Sequence, residues 1–176
     1  MLNANVERQV VVDKPGIGEL YLQHADSAVR FAYLLTGDLA VAEDLVQDAF
    51  VRLTGRLVHL RDPEAFDAYL RRTVVNLSNS HFRHKRVERA YLERARTGAG
   101  EHVIDAQDRS LEDRDELWAK LETLSARQRA AIVLRFYEDL SEAEVAQVLK
   151  CAPGTVKSLV SRGLEKLRSE MRGEDR

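Results

Sequence analysis

The stretch from Ser141 to Arg168, SEAEVAQVLKCAPGTVKSLVSRGLEKLR, constrains this chain more than any other. Ser141 followed by Glu144 has the spacing of a capping box, in which each side chain satisfies a free backbone N–H of the other residue. A short helix is therefore predicted from about Glu142 to Leu149, with Val145, Val148 and Leu149 inward and Ala146 small enough for a close crossing. Lys150, Cys151 and Ala152 make a turn, and Pro153 suits the first helical position, where an N–H would be unpaired anyway. The next helix, Pro153 to Met171, carries Val156, Val160, Leu164 and Leu167 on one stripe. Thr155, Lys157, Ser158, Ser161, Arg162 and Lys166 face away from that stripe. Two short helices, a tight turn and a basic, hydroxyl-rich outer face make a helix-turn-helix suited to the major groove of DNA. The competing arrangement is a plain antiparallel hairpin with a solvated face.

The rest of the composition agrees with an all-α chain. There are 3 Pro and 5 Phe in 176 residues, and few stretches alternate in the manner of strands. A formal charge of −2 hides strong blocks of sign. Asp38, Glu43, Asp44 and Asp48 lie in a segment without Lys or Arg. Arg71, Arg72, Arg83, Lys85, Arg86, Arg89, Arg94 and Arg96 follow with only Glu88 and Glu93 among them, and acid dominates again from Glu101 to Glu122. Alternating blocks imply at least two partners, one anionic like DNA and one presenting basic groups. A single cysteine, Cys151, leaves no internal disulfide and fits a reducing compartment. No apolar run approaches membrane-spanning length, and Met1 to Lys14 has no signal-peptide core, so a cytoplasmic protein without direct membrane insertion is expected.

Along the chain, helices are predicted at about Glu19–Leu35, Leu39–Leu57, Glu64 to beyond Arg86, Glu112–Leu124 and Ala126–Tyr137, ahead of the two already described. Leu20, Leu22, Val29, Phe31, Leu34 and Leu35 are the apolar candidates of the first helix, and Ala42, Leu45, Val46, Ala49, Phe50 and Leu53 those of the second. The expected organisation is two small helical domains: an extension over 1–18, a first domain over 19–92, a flexible linker over 93–110 containing TGAGE, and a second domain over 111–172.

Four segments, AEDLVQDAFVRL (Ala42–Leu53), AFDAYLRRTVVNLSNSHFRHKR (Ala65–Arg86), LETLSARQRAAIVLRFYEDLSEAEVAQVL (Leu121–Leu149) and PGTVKSLVSRGLEKLR (Pro153–Arg168), occur in the order and spacing of a known family. The chain resembles an extracytoplasmic-function (ECF) RNA polymerase sigma factor of the sigma-70 family, the minimal two-domain kind of bacterial transcription initiation factor. The resemblance implies that 19–92 is sigma region 2 and 111–172 is sigma region 4. It implies docking on the β′ clamp helices of core RNA polymerase through Asp44, Gln47, Asp48 and Phe50, with Phe50 as an apolar anchor; periodicity alone favours Phe50 as core and the acids as a solvated face.

The third helix resembles the reader of the −10 promoter element. Asn76 stands where the family lines a pocket for a flipped base, the Val58–Pro63 loop would wall that pocket, and Arg71, Arg72, Arg83, Lys85 and Arg86 would track the strand backbone. Tyr69 stands where many relatives carry Trp, as a wedge or as a core residue. The helix-turn-helix resembles the −35 reader, with Lys157, Ser158, Ser161 and Arg162 at base- or phosphate-contacting positions and Thr155 near the backbone. Leu159 departs from the usual polar residue there. The Ala126–Tyr137 helix would meet the polymerase β flap, and an anti-sigma factor is a further partner that family members often have. No cofactor, no metal and no enzymatic activity are expected; polymerase performs the catalysis.

Two other classes compete. A stand-alone helix-turn-helix regulator would usually dimerise across two half-sites, and no heptad seam follows Arg168. A metal protein would need more than His81, His84 and Cys151, whose arginine-rich surroundings repel a cation.

Overall fold

A computed structural model describes residues 16–54, 63–95 and 112–174, and every regular element among them is helical. Helix α1 spans Ile17–Thr36, α2 Leu39–Thr54, α3 Pro63–Ala95, α4 Glu112–Glu122, α5 Ala126–Ile132, α6 Glu142–Leu149 and α7 Pro153–Glu174. A single π-helical turn, Val133–Tyr137, extends α5, so the helix expected over Ala126–Tyr137 widens in its second half. The third helix runs past the expected linker boundary to Ala95. The Val58–Pro63 loop falls, except for Pro63, outside the described residues, as do Arg96 and the whole TGAGE segment.

Local chemistry sets the breaks. Gly37 adopts φ +75°, and its N–H closes α1 by donating to the Tyr33 carbonyl at 2.7 Å. The Asp38 carboxylate then accepts from the Val41 N–H at 3.0 Å, which starts α2. The predicted capping box of Ser141 with Glu144 forms, and Ser125 makes a second one with Gln128. Lys150 takes the left-handed conformation, φ 50°, and the Cys151 N–H returns to the Ala146 carbonyl at 3.0 Å. That pattern ends α6 as glycine usually does.

Helices α1, α2 and α3 bury Phe31, Leu35, Val46, Phe50, Leu53, Phe66, Leu70 and Val74 among themselves. The C-terminal half buries Leu121, Leu124, Ile132, Leu134, Val145, Val148 and Val156. Leu22, expected inside, is 86% exposed, whereas Leu20, one turn from Gly16, is buried. The two halves do not stand apart. Helix α3 packs against α6, and α1 packs against α5 and the π turn, so the buried residues form one continuous cluster. No described helix is long and apolar enough to cross a membrane.

Candidate nucleic-acid interface

The helix-turn-helix presents the expected outer face. Val156 is fully buried, and Val160, Leu164 and Leu167 pack half-buried against the core. Thr155, Lys157, Ser158, Ser161 and Arg162 are all exposed on the other side of α7. Ser158 Oγ donates to the Gly154 carbonyl of its own helix at 3.0 Å. Lys166 is tied instead to the Thr123 carbonyl, so its ammonium holds α7 to the preceding turn. Leu159 is half-buried.

A glycine overlooked in the sequence reading positions this reader. A Cβ on Gly163 would sit 2.6 Å from Ile132 Cδ1, so its absence lets α7 lie close on α5. A glycine costs about 1 kcal/mol inside a helix, and that local penalty was the available signal of a close packing contact.

On α3, Asn76 and the cations Arg83, Lys85 and Arg86 are exposed, and Arg72 is half-exposed. Tyr69 is 40% exposed and lies at the surface rather than in the core. Arg71 departs from the expected track: its guanidinium forms an ion pair with Glu138, just past the π turn of the C-terminal half. On α2, Asp44, Gln47 and Asp48 are exposed, with Asp48 reaching Arg52 at 4.0 Å. Phe50 is corrected from a docking anchor to a core residue. It is 4% exposed, edge-on to Tyr21 with ring centroids 4.9 Å apart and 5.8 Å from Phe66, because the α2 stripe that carries it faces α1 and α3. It supports the acidic face from behind.

Arg129 was not singled out in the sequence. It is buried with its Cζ 5.0 Å from the Phe82 ring centre and 4.7 Å from that of Trp118, and Nη1 donates to the Leu121 carbonyl at 3.3 Å. Burial lowers its guanidinium to about 10, with Glu122 pulling the other way, so it stays charged at neutral pH. Trp118 in turn covers the α1–α2 turn, where a Cβ on Gly37 would fall 1.9 Å from Cε2. Burial also lowers the His81 pKa, helped by Lys85 and His84 and opposed by Asp38. No spacing rule finds these contacts, because their partners are remote in sequence.

Among the described residues no group of three or more His, Cys, Asp or Glu side chains is placed to hold a metal ion. The α5 helix and π turn, expected at the β flap, are mostly buried but end in Phe136 at 59% exposure and Tyr137 at 46%.

The family model for Sigma-70 region 2 matches residues 20–88, and that for Sigma-70, region 4 matches residues 114–167. An RNA polymerase sigma-E factor of Streptomyces avermitilis is 35% identical over 150 residues, covering 85% of this chain and 82% of that protein. The ECF RNA polymerase sigma factor SigW of Bacillus subtilis is 26% identical over 183 residues, covering 98% and 97%. Among solved structures, the sigma factor RpoE of Bartonella quintana, crystallised with the anti-sigma factor NepR, has a TM-score of 0.65 at 27% identity, covering 88% of this chain and 96% of that one. With an exposed helix-turn-helix face on α7, an acidic face on α2 and both regions matched in order, this chain belongs to the sigma-70 family, among the ECF sigma factors that direct RNA polymerase to promoters.

Proposed function

We propose that the outer face of α7, through Thr155, Lys157, Ser158, Ser161 and Arg162, reads the −35 element in the major groove, while α3 captures the −10 strand. Asn76 offers both a donor and an acceptor to a flipped base, and Tyr69 supplies a stacking edge beside it. Arg72, Arg83, Lys85 and Arg86 follow the phosphates. Asp44, Gln47 and Asp48 meet basic groups on the β′ clamp helices, and the exposed Phe136 and Tyr137 offer an apolar contact to the β flap. The observation that carries this reading is the two-sided chemistry of α7. Its apolar stripe is packed inward, while five side chains of the type that contact bases and phosphates are exposed on the solvent side.

The factor performs no covalent chemistry of its own and works where the bacterial chromosome is, in the cytoplasm. By its likeness to a sigma factor crystallised with an anti-sigma factor, it is also a target for such an inhibitor. Gel filtration with bacterial core RNA polymerase tests the reading. Co-elution of the wild-type protein, lost on Asp48→Arg, is the expected result. Failure to co-elute, together with tight binding of the free protein to duplex DNA, would favour a stand-alone regulator.

A further inference from the structure

Helix α3 outruns the core it packs on. Among its described residues the last buried one is Ser78, and Phe82 is half-buried. Every side chain from Arg83 to Glu88 is exposed, and so is Tyr91. The helix continues to Ala95, so about 20 Å of it follows Phe82 at ~1.5 Å per residue. The match to Sigma-70 region 2 stops at residue 88, which leaves Tyr91 in a stretch of helix that the family model does not cover.

Two of these exposed residues are large and apolar: Val87 is 63% and Tyr91 72% exposed. They stand one helical turn apart and so share a face. It is the face of Asn76. At about 100° per residue, Tyr69, Arg72, Arg83, Val87 and Tyr91 all lie within about 60° of Asn76, whereas Glu88 lies about 120° away. The face assigned to the −10 strand therefore runs on beyond Asn76, first through a cation and then through two apolar side chains that gain by being covered. What covers them follows from continuity and charge. Asn76 and Arg83 put nucleic acid on this face. The chain leaves the far end of α3 for the −35 reader, so moving from Asn76 to Tyr91 moves upstream along the promoter. The helix rises about 17 Å from Asn76 to Val87 and about 23 Å to Tyr91. At ~3.4 Å per pair those distances are at most about five and seven base pairs, which passes from the captured strand into duplex. A helix about 10–12 Å wide fits a major groove about 12 Å wide, where thymine presents a methyl group.

We propose that the last turns of α3, through Val87 and Tyr91, read the double-stranded DNA just upstream of the −10 element. The Val87 isopropyl group and the Tyr91 ring cover thymine methyl groups, while Arg83 and Arg86 hold the adjoining phosphates. This rests on the assignment of α3 to the −10 strand made above. Asn76 discriminates a base in the open strand by hydrogen bonding. Val87 and Tyr91 discriminate in closed duplex by apolar contact, which separates thymine from the other three bases. The factor thus carries a third stretch of sequence preference, between the two promoter elements and adjoining the −10 element.

The test uses holoenzyme assembled from the full-length protein and core polymerase, with promoter fragments randomised over about eight base pairs upstream of the −10 element. Selection by binding should enrich thymine at one or two of those positions with the wild-type factor. The enrichment should vanish in Val87→Ser and Tyr91→Ala, checked by circular dichroism for intact helices, while the preference within the −10 element persists. Replacing the enriched thymine by deoxyuridine removes one methyl group and needs no variant. Wild-type affinity should then fall about fourfold, the share of one buried methyl, and the affinity of a variant that has lost the enrichment should not change. Flat wild-type selection upstream, alongside clear selection at −35 and −10, overturns this contact and leaves the promoter-reading role standing. Absence of selection at all three overturns that role and the contact with it. Enrichment that survives in both variants, or an unchanged affinity on removal of the methyl, overturns the apolar readout. Loss of co-elution with core polymerase in either variant, with base preference kept, assigns Val87 and Tyr91 to a protein contact instead.

Discussion

Gly37→Ala probes the junction most directly, because one added methyl group meets two independent obstacles. The backbone there has φ +75°, a left-handed conformation that costs a residue with a Cβ about 1–2 kcal/mol. The new Cβ would also fall 1.9 to 2.3 Å from Cε2, Cζ2 and Nε1 of the Trp118 ring, so the indole has to leave. Its departure forfeits the stack on Arg129, worth about 1 kcal/mol in a partly desolvated setting. The burial of roughly half an indole goes with it, about 1–2 kcal/mol. The sum, about 3–5 kcal/mol, is a large share of an ordinary domain's stability.

Trp118 is the only tryptophan, so its fluorescence reports on this site alone. Native Gly37→Ala should emit to the red of wild type while keeping its helical circular dichroism. Its urea midpoint should fall by about 2 M, given a denaturant slope of about 2 kcal/mol per molar. Repeating the substitution in a Trp118→Ala background, followed by circular dichroism, should leave only the backbone penalty of about 1–2 kcal/mol. An unchanged emission maximum, or the same cost in both backgrounds, would refute the proposed contact between the α1–α2 turn and Trp118.

Three further outcomes are expected. Lys157→Ala or Arg162→Ala should weaken use of the −35 element by about 1–3 kcal/mol per lost base contact, read as promoter affinity of the holoenzyme against −35 variants. Asn76→Ala should change the preferred −10 sequence in a library selection while core polymerase still co-elutes; loss of co-elution would mean the base pocket is misplaced. The Glu144 carboxyl lies below its ordinary range because it accepts from the Ser141 hydroxyl and then from the Ser141 backbone N–H. Its folded pKa is depressed, so its contribution to α6 is complete above the ordinary value of 4.5 and is lost as pH falls through the lower folded value. Carboxyl NMR titration should place Glu144 below 4.5 in wild type and closer to it in Ser141→Ala; identical titration curves would remove the capping box as the cause.

The elements that were legible in the amino-acid sequence are those whose causes lie within one helical turn. Ser141 and Glu144 cap α6, Ser125 and Gln128 cap α5, Pro153 opens α7, and the Val156–Val160–Leu164 stripe decides which side of α7 is free. Side chains three and four residues apart meet on any helix, so spacing alone reveals them. The acidic α2 face was readable for the same reason, whereas Asn76 was singled out by the family resemblance alone. Periodicity also placed Phe50 on the apolar stripe that the structure buries; the docking-anchor role came from the family resemblance instead.

The contacts that join the halves have no such local cause. Arg71 meets Glu138 across 67 positions, and Arg129 lies between Phe82 and Trp118 from different helices. An arginine destined for an interdomain ion pair looks, in sequence, the same as one destined for a phosphate. Only packing α3 against α6 and α4 over the α1–α2 turn distinguishes them, because the low-dielectric setting and the matching partner exist only once the chain has folded back on itself.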